Sequence, residues 1–498
     1  MSFVSTQFLL FLIACFVVYF AAPRRARWCV LLAASYCFYW IIGGFFAVSI
    51  ISFTILTVYA SGIWAGLLRK RKSGRAARRA PLAVCLTLNI GLLVFFKFSN
   101  VIIPSLGLLL IPGVSFYTFQ ASGYLIDIYT GKVGTPERNP LKLALFLSFF
   151  PQLVQGPISR HGEIAADLFA GHGWDWDRAR SGIQRIIWGF FMKLLVANYA
   201  AAVVNPVYST FWDYGGAVIL LSVLMYCIQI YADFAGGINI ALGAAIIAGV
   251  KLPENFFQPF FANSLADFWR RWHITLGKWF RDYLFYPLAL SSALGKVGKL
   301  ARKLFGMRFG KMFAPCLATF CVFFAVGVWH GSGAHILLFG LLNGIIISVS
   351  LYLEPFYEKL RLKTRIDGGK TGFGRVFAAL RTLGILVFLR YFVRASSLSS
   401  ALLMLQRTVY YPRFYELWDG TLTGFGLDCK DYLVFILGTA VILTRDFITE
   451  SGRKCDQMIN GFKPVIQFAL LLAVILSVVV FGFYSDNADL SDFIYARY

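Results

Sequence analysis

The chain has 498 residues, 58% hydrophobic and only 14% charged, with 47 basic against 24 acidic side chains and a formal net charge of +23. An ordinary soluble domain carries about 25% charged residues, so composition excludes one. A soluble chain this basic points to nucleic acid. Here the basic residues sit in short loops between apolar runs, where the positive-inside rule and anionic lipid explain them, and no nucleic-acid partner is expected.

Uncharged apolar runs of about 18 residues or more are long enough to cross the hydrocarbon as helices. Met1–Ala22 carries no charge, and Trp28–Leu68 carries none over 41 residues, enough for two helices turned at Gly43 and Gly44. No basic residue precedes the first run, while Arg24, Arg25 and Arg27 follow it. It therefore reads as a retained span and not as a cleavable leader. The arginines place that end in the cytoplasm and Met1 outside. The loop RKRKSGRAARR, Arg69–Arg79, has seven basic and no acidic residues, and two crossings separate it from Arg24–Arg27, so both fall on one side.

Weaker apolar stretches follow near residues 81–96, 115–126, 140–154, 184–204, 335–353, 376–394 and 431–444, and Ala217–Ala232, Met312–Trp329 and Pro464–Phe483 are charge-free. Eleven to thirteen membrane-spanning or re-entrant helices are expected in one integral membrane domain over 1–498, with the short piece 101–111 re-entrant or interfacial. Lys296–Lys311, with six basic residues and no acid, is a third cytoplasmic loop, and 358–374 and 446–463 also read as loops. The nine cysteines show no CxxC spacing and mostly lie within apolar runs, as small buried hydrophobes do.

Chemistry is expected at few places. The chain has five histidines: His161, His172, His273, His330 and His335. His172, between Gly171 and Gly173, reads as a solvated loop residue, His161 as a helix-end residue, and His335 as a structural residue at a helix start. His330 follows eighteen uncharged residues in VWHGSGAH. Ionisable groups at such depth are costly and usually mark a functional path. Gly331 and Gly333 let the backbone bend there and keep bulk from the imidazole. A neutral imidazole in an apolar setting is a competent general base for a hydroxyl.

The segment WRRWHITLGKWFRDY, Trp269–Tyr283, is the most crowded polar patch. On one helix over 264–284, Leu265, Phe268, Trp269, Trp272, Leu276, Trp279, Phe280 and Tyr283 form an apolar stripe, with Arg270, Arg271, Lys278, Arg281 and Asp282 opposite. Such a helix suits the membrane interface. His273 lies on the stripe's flank, facing protein or lipid. No third ligand clusters with His273 and His330, so no metal is expected. GxSxG, Walker A and dinucleotide fingerprints are missing.

The run PENFFQPFFANSLADFWRRWHITLGKWFRDYLFYPL, Pro253–Leu288, closely resembles the signature of the membrane-bound O-acyltransferase family, in particular its bacterial branch acting on alginate and teichoic acid. SFYTFQASGYLIDIY at Ser115–Tyr129, FFPQLVQGPISR at Phe149–Arg160, VWHG at Val328–Gly331 and the closing FIYARY at Phe493–Tyr498 are similar to the same branch. One motif departs: DFAGGINIALG, Asp233–Gly243, keeps Asp233, Gly236 and Gly243 of a DFSGYSDxAxG-like run but has Gly237, Ile238 and Asn239 at its polar positions.

The resemblance implies a ring of tilted helices around a water-filled funnel. An acyl thioester, acetyl-coenzyme A or an acyl carrier protein, would enter as co-substrate from the cytoplasm, and a hydroxyl acceptor from outside. No permanently bound cofactor is implied. His330 would be the catalytic histidine and His273 a second active-site histidine. Trp269, Arg270, Arg271, Trp272, Asp233, Asn239, Trp329 and Gly331 would serve substrate binding. Trp269 and Trp272 would anchor the helix at the interface. Arg270 and Arg271 would attract an acidic donor or pair with lipid phosphate or Asp267.

The expected function is transfer of a small acyl group, acetyl first, to an extracytoplasmic polysaccharide by a multi-pass cell-membrane enzyme, with a secreted or membrane-anchored transferase as a possible partner. D-alanyl transfer to teichoic acid is the alternative. A transporter or flippase without acyl chemistry, or a scaffold for a secreted transferase, would be the reading from another class. No broken segments recur in two matching halves, as transporter repeats would show.

Overall fold

The computed structural model describes residues 1–71, 74–102, 111–364, 372–453 and 455–484. The closing Phe493–Tyr498, Ser73 and nearly all of the 101–111 piece lie outside the described residues. Most of the described residues are helical, and the single β-bridge among them pairs Phe256 with Trp272. Nine helices among the described residues are long and apolar enough to cross a membrane, and Thr6–Ala21 is a shorter apolar one. The chain is an all-α integral membrane protein. Hydrocarbon offers no partner to a backbone amide, so a spanning segment must satisfy its own, as a helix does.

One of the nine spans, Arg24–Lys70, is two segments joined at a turn, and the stretches near 115–126 and 140–154 form short helices, Val114–Thr130, Pro140–Ser148 and Phe150–Leu153. Their side chains are almost wholly buried in protein. The helix Arg27–Lys70 turns at Gly44, whose φ of 64° is the left-handed conformation that glycine tolerates. The expected pair turned at Gly43-Gly44 is therefore present. Of the nine cysteines, Cys15, Cys85, Cys227 and Cys316 are buried, but Cys29, Cys37 and Cys429 are exposed. They face outward because the faces of membrane helices turned from protein can be as apolar as the core.

The chain divides into two compact units, 1–193 with 233–254, and 194–232 with 255–483. The first has a core of Phe3, Phe8, Leu12, Phe38, Phe150, Ile186 and Ile240. Within it the glycines of Asp233–Gly243 bring two backbones together. A Cβ on Gly243 would stand 2.5 Å from the Gly182 carbonyl oxygen, and one on Gly236 would stand 2.9 Å from that of Gly189. Small residues at such crossings let membrane helices approach closely, since lipid supplies no hydrophobic drive between them. The same logic builds the second unit's helix pair. A Cβ on Gly340 would meet the Phe323 carbonyl at 2.5 Å, and one on Gly327 the Ile336 carbonyl at 3.1 Å.

The helix Gly216–Ala248 runs well past the charge-free Ala217–Ala232. It continues through Asp233 because that carboxylate, 1% exposed, receives Nζ of the buried Lys193 at 2.5 Å. A buried charge persists when paired and hydrogen-bonded.

Candidate active site

The segment from Leu265 to Phe280 is two helices, not one. Leu265–Arg271 starts at Ser264, whose hydroxyl accepts the Asp267 N–H, and Ile274–Phe280 starts at His273. The break is at His273, with φ 45° and ψ 54°, a conformation uncommon outside glycine and held only where the surroundings impose it. Asn255 imposes it here. The Ile274 N–H donates to the Asn255 carbonyl at 3.0 Å. The Asn255 side-chain Oδ1 accepts from the Thr275 N–H at 3.0 Å and the Thr275 hydroxyl at 2.8 Å. Phe257 N–H to the Arg271 carbonyl at 2.9 Å completes the bridge between the two stretches.

These bonds also fix the tautomer of His273. Its Nδ1 lies 3.3 Å from Asn255 Oδ1, and an atom that accepts from the Thr275 N–H is an acceptor. Nδ1 therefore carries the proton and donates, and Nε2 carries the lone pair. The residue is 2% exposed. Burial pushes the imidazole down to about 3, because the cation would be desolvated.

His330 is the last residue of Ser292–His330 and is 6% exposed. Its ring stands 4.6 Å from that of Trp329 and 6.1 Å, edge-on, from Phe339. The Trp329 ring is also 5.9 Å from His273. The structure thus sets both histidines against one indole. Trp269 braces the same place: its Nε1 donates to Asn343 Oδ1 at 2.8 Å, Asn343 Nδ2 donates to the Phe339 carbonyl at 2.8 Å, and its ring meets Phe323 at 5.3 Å.

Several expected roles change. Trp272 is no interfacial anchor; it is 2% exposed, packed against Phe256 and Phe268, with the Arg390 guanidinium 5.5 Å above its ring. Trp269 points into the Asn343 hydrogen bond for the same reason: the helix break turns the aromatic stripe toward protein. Arg271 is clamped by two carboxylates, Nε to Asp267 at 3.0 Å and a bidentate pair to Glu450 at 2.6 and 3.2 Å. Arg270 reaches only Asp267, at 3.2 Å, and its side chain is 70% exposed. Gly331 has extended backbone, and the bulk it excludes is beside Ile336 Cδ1, 2.6 Å from an added Cβ; Gly333 makes room for the His335 ring.

Asp233 and Asn239 belong to the other unit. Asn239 Oδ1 accepts from Arg185 Nε at 3.0 Å, and Arg185 forks onto Glu254 at 2.7 and 2.5 Å. His161 starts its helix, and His335 stands near the start of Ala334–Thr364, as expected. His172 is half-buried, its carbonyl accepting from Arg27 at 2.5 Å and its Nε2 lying 3.0 Å from the Asp167 carbonyl, so the loop is tied down and not merely solvated. Sequence reasoning missed Asn255, Asn343, Glu450 and Lys193. Asn255 stood inside the quoted Pro253–Leu288 run, but its partners declare themselves only in the fold. No three His, Cys, Asp or Glu side chains cluster at ligand spacing among the described residues.

The profile of the membrane-bound O-acyltransferase family matches residues 82–379, which include both histidine segments. The chain is 31% identical over 379 residues to the probable alginate O-acetylase AlgI of Pseudomonas syringae pv. tomato, covering 70% of this chain and 66% of that protein. It is 33% identical over 356 residues to the probable alginate O-acetylase AlgI of Azotobacter vinelandii, covering 67% and 68%. To the teichoic acid D-alanyltransferase of Bacillus subtilis it is 28% identical over 272 residues, covering 52% and 63%. The match thus spans about two thirds of the length of the first two relatives.

Proposed function

The chain belongs to the membrane-bound O-acyltransferase family, and from that premise we propose that it moves a small acyl group, acetyl, from a cytoplasmic thioester to hydroxyls of an extracytoplasmic polysaccharide. The donor is acetyl-coenzyme A or an acylated carrier protein, meeting the acceptor within the membrane domain.

The observation that carries this reading is the pair of buried histidines set against the Trp329 ring. Their environments divide the work. A ring held at about 3 binds a proton too weakly to act as base near neutral pH. His273 therefore orients: its Nε2 lone pair accepts a hydrogen bond, and with the proton fixed on Nδ1 it has none to give an oxyanion there. His330 takes the proton from the acceptor hydroxyl as the oxygen attacks the thioester carbonyl. The thiolate leaves as the ester forms, and the proton on His330 passes to that thiolate, releasing free thiol.

Exposed Arg270 meets the acidic donor, while Arg271 holds the segment in shape. Trp269, Trp272, Trp329 and Gly331 shape the pocket around the histidines.

Purified protein in lipid, given an acetyl thioester and a soluble polysaccharide, should release thiol and form polysaccharide ester. A D-alanyl donor should be used poorly. The D-alanyltransferase relative favours the reverse preference, and efficient D-alanyl transfer would establish that reading instead. Absence of thioester cleavage with either donor would return the transporter reading.

A further inference from the structure

We propose that a cleft over the C-terminal end of Arg27–Lys70 binds the phosphate headgroup of an anionic glycerophospholipid. The cleft holds about 350 Å³ and is lined by Ile63, Leu67, Arg69, Lys70, Ile128 and Arg138 among others. It lies wholly outside the histidine site.

The cleft is built by a chain reversal. The helix Val114–Thr130 ends at Gly131, whose φ of 84° turns the following loop back over the last turns of Arg27–Lys70. Gly62 and Gly66 admit Pro136 there; a Cβ on Gly66 would stand 2.9 Å from the Pro136 ring. The loop is fastened at two points: the Tyr59 hydroxyl donates to the Arg138 carbonyl at 3.0 Å, and Arg69 donates to the Gly134 carbonyl at 3.3 Å. Its walls are therefore set before any ligand arrives.

Charge and position then choose the occupant. Arg69, Lys70 and Arg138 are exposed, and no acid lines the cleft. The neighbouring acids are engaged elsewhere: Asp127 lies 3.8 Å from Lys132, and Glu137 Oε1 accepts the Asn139 N–H at 2.9 Å. Three cations over an apolar floor suit a phosphodiester carried on an apolar chain. The floor residues Ile63 and Leu67 lie on a helix apolar enough to cross the membrane, and the cations begin where its apolar run stops. Lipid headgroups are found at that level, and a basic side chain there gains about 1 kcal/mol from anionic lipid. A soluble phosphate would use the same cations but leave the apolar floor unused.

The test is photo-crosslinking of the full chain in phosphatidylcholine nanodiscs containing a photoreactive phosphatidylglycerol. Label should map to peptides covering 63–70 or 128–138. It should fall about five-fold for each of Arg69→Ala, Lys70→Ala and Arg138→Ala, and persist in Arg138→Lys. Gly66→Val, which pushes Pro136 outward, should also lower it while the protein elutes as a folded monodisperse species. Equal labelling by a photoreactive phosphatidylcholine, or unchanged labelling in a folded triple variant, would overturn the proposal. Displacement of the label by inorganic phosphate or coenzyme A would assign the site to a soluble phosphate and overturn the lipid assignment.

Discussion

His273 and His330 stand against the same indole but are held by opposite means. His330 ends a long helix and owes its place to that helix and to its close packing on Ala334–Thr364 through Gly327 and Gly340. His273 sits where a helix is interrupted, in a conformation it would not choose, and owes its place to Asn255, 18 residues away. One histidine is positioned by local periodicity, the other by a long-range clamp. The first should tolerate losses around it and be sensitive only to its own removal. The second should be sensitive to residues that never meet substrate.

The largest effect is expected at His330 itself. As the general base proposed above it would supply roughly 10²–10⁴-fold in rate, so His330→Ala should lose that much acyl transfer, and His330→Gln nearly as much, while insertion and yield stay normal. A folded His330→Ala protein with near wild-type transfer would remove the base assignment.

Next comes Asn255. Asn255→Ala strips the acceptor from Thr275 and from His273 Nδ1, leaving buried donors that cost about 1–3 kcal/mol. Transfer should fall chiefly in kcat with a lowered melting temperature, and Asn255→Asp, which keeps the acceptor, should recover part of both. If Asn255→Ala changed stability alone, the clamp would not serve His273.

The two arginines sharpen the contrast on a smaller scale. Arg271→Ala breaks contacts to Asp267 and Glu450 and should behave like Glu450→Gln, with a double variant losing little more than either single one. Arg270→Ala should leave stability unchanged, raise KM for the acidic donor and blunt its dependence on salt, because only exposed charge is strongly screened. Equal salt slopes in wild type and Arg270→Ala would deny that arginine a role in donor binding.

Stability against pH tests the environment of His273 separately. Burial lowers His273 to about 3, whereas an unfolded histidine titrates near 6.5. Between those values the unfolded chain binds the extra proton, so stability is complete above about 6.5 and falls as pH drops toward 3, by at most about 1.4 kcal/mol per pH unit. His273→Asn should flatten that slope in melts taken from pH 7 down to 4.5; an unchanged slope would mean the ring protonates freely in the folded state.

The membrane class, the turn at Gly44, both histidine segments and the family were legible in the linear chain. Hydrocarbon imposes long uncharged runs, and special backbone turns impose glycines, so those constraints are written locally. What was not legible is the break at His273, the inward turn of Trp269 and Trp272, the pairing of Arg271 with Glu450, 179 residues away, and the passage of a helix through Asp233 by way of Lys193. Each depends on a partner distant in sequence, and a periodicity argument weighs only neighbours three or four positions apart. The apolar spacing at 265–280 is real, but it falls on two short helices, and whether its aromatic side chains meet lipid or protein is decided by what packs there; only the tertiary structure brings Asn255, Asn343 and Arg390 to it.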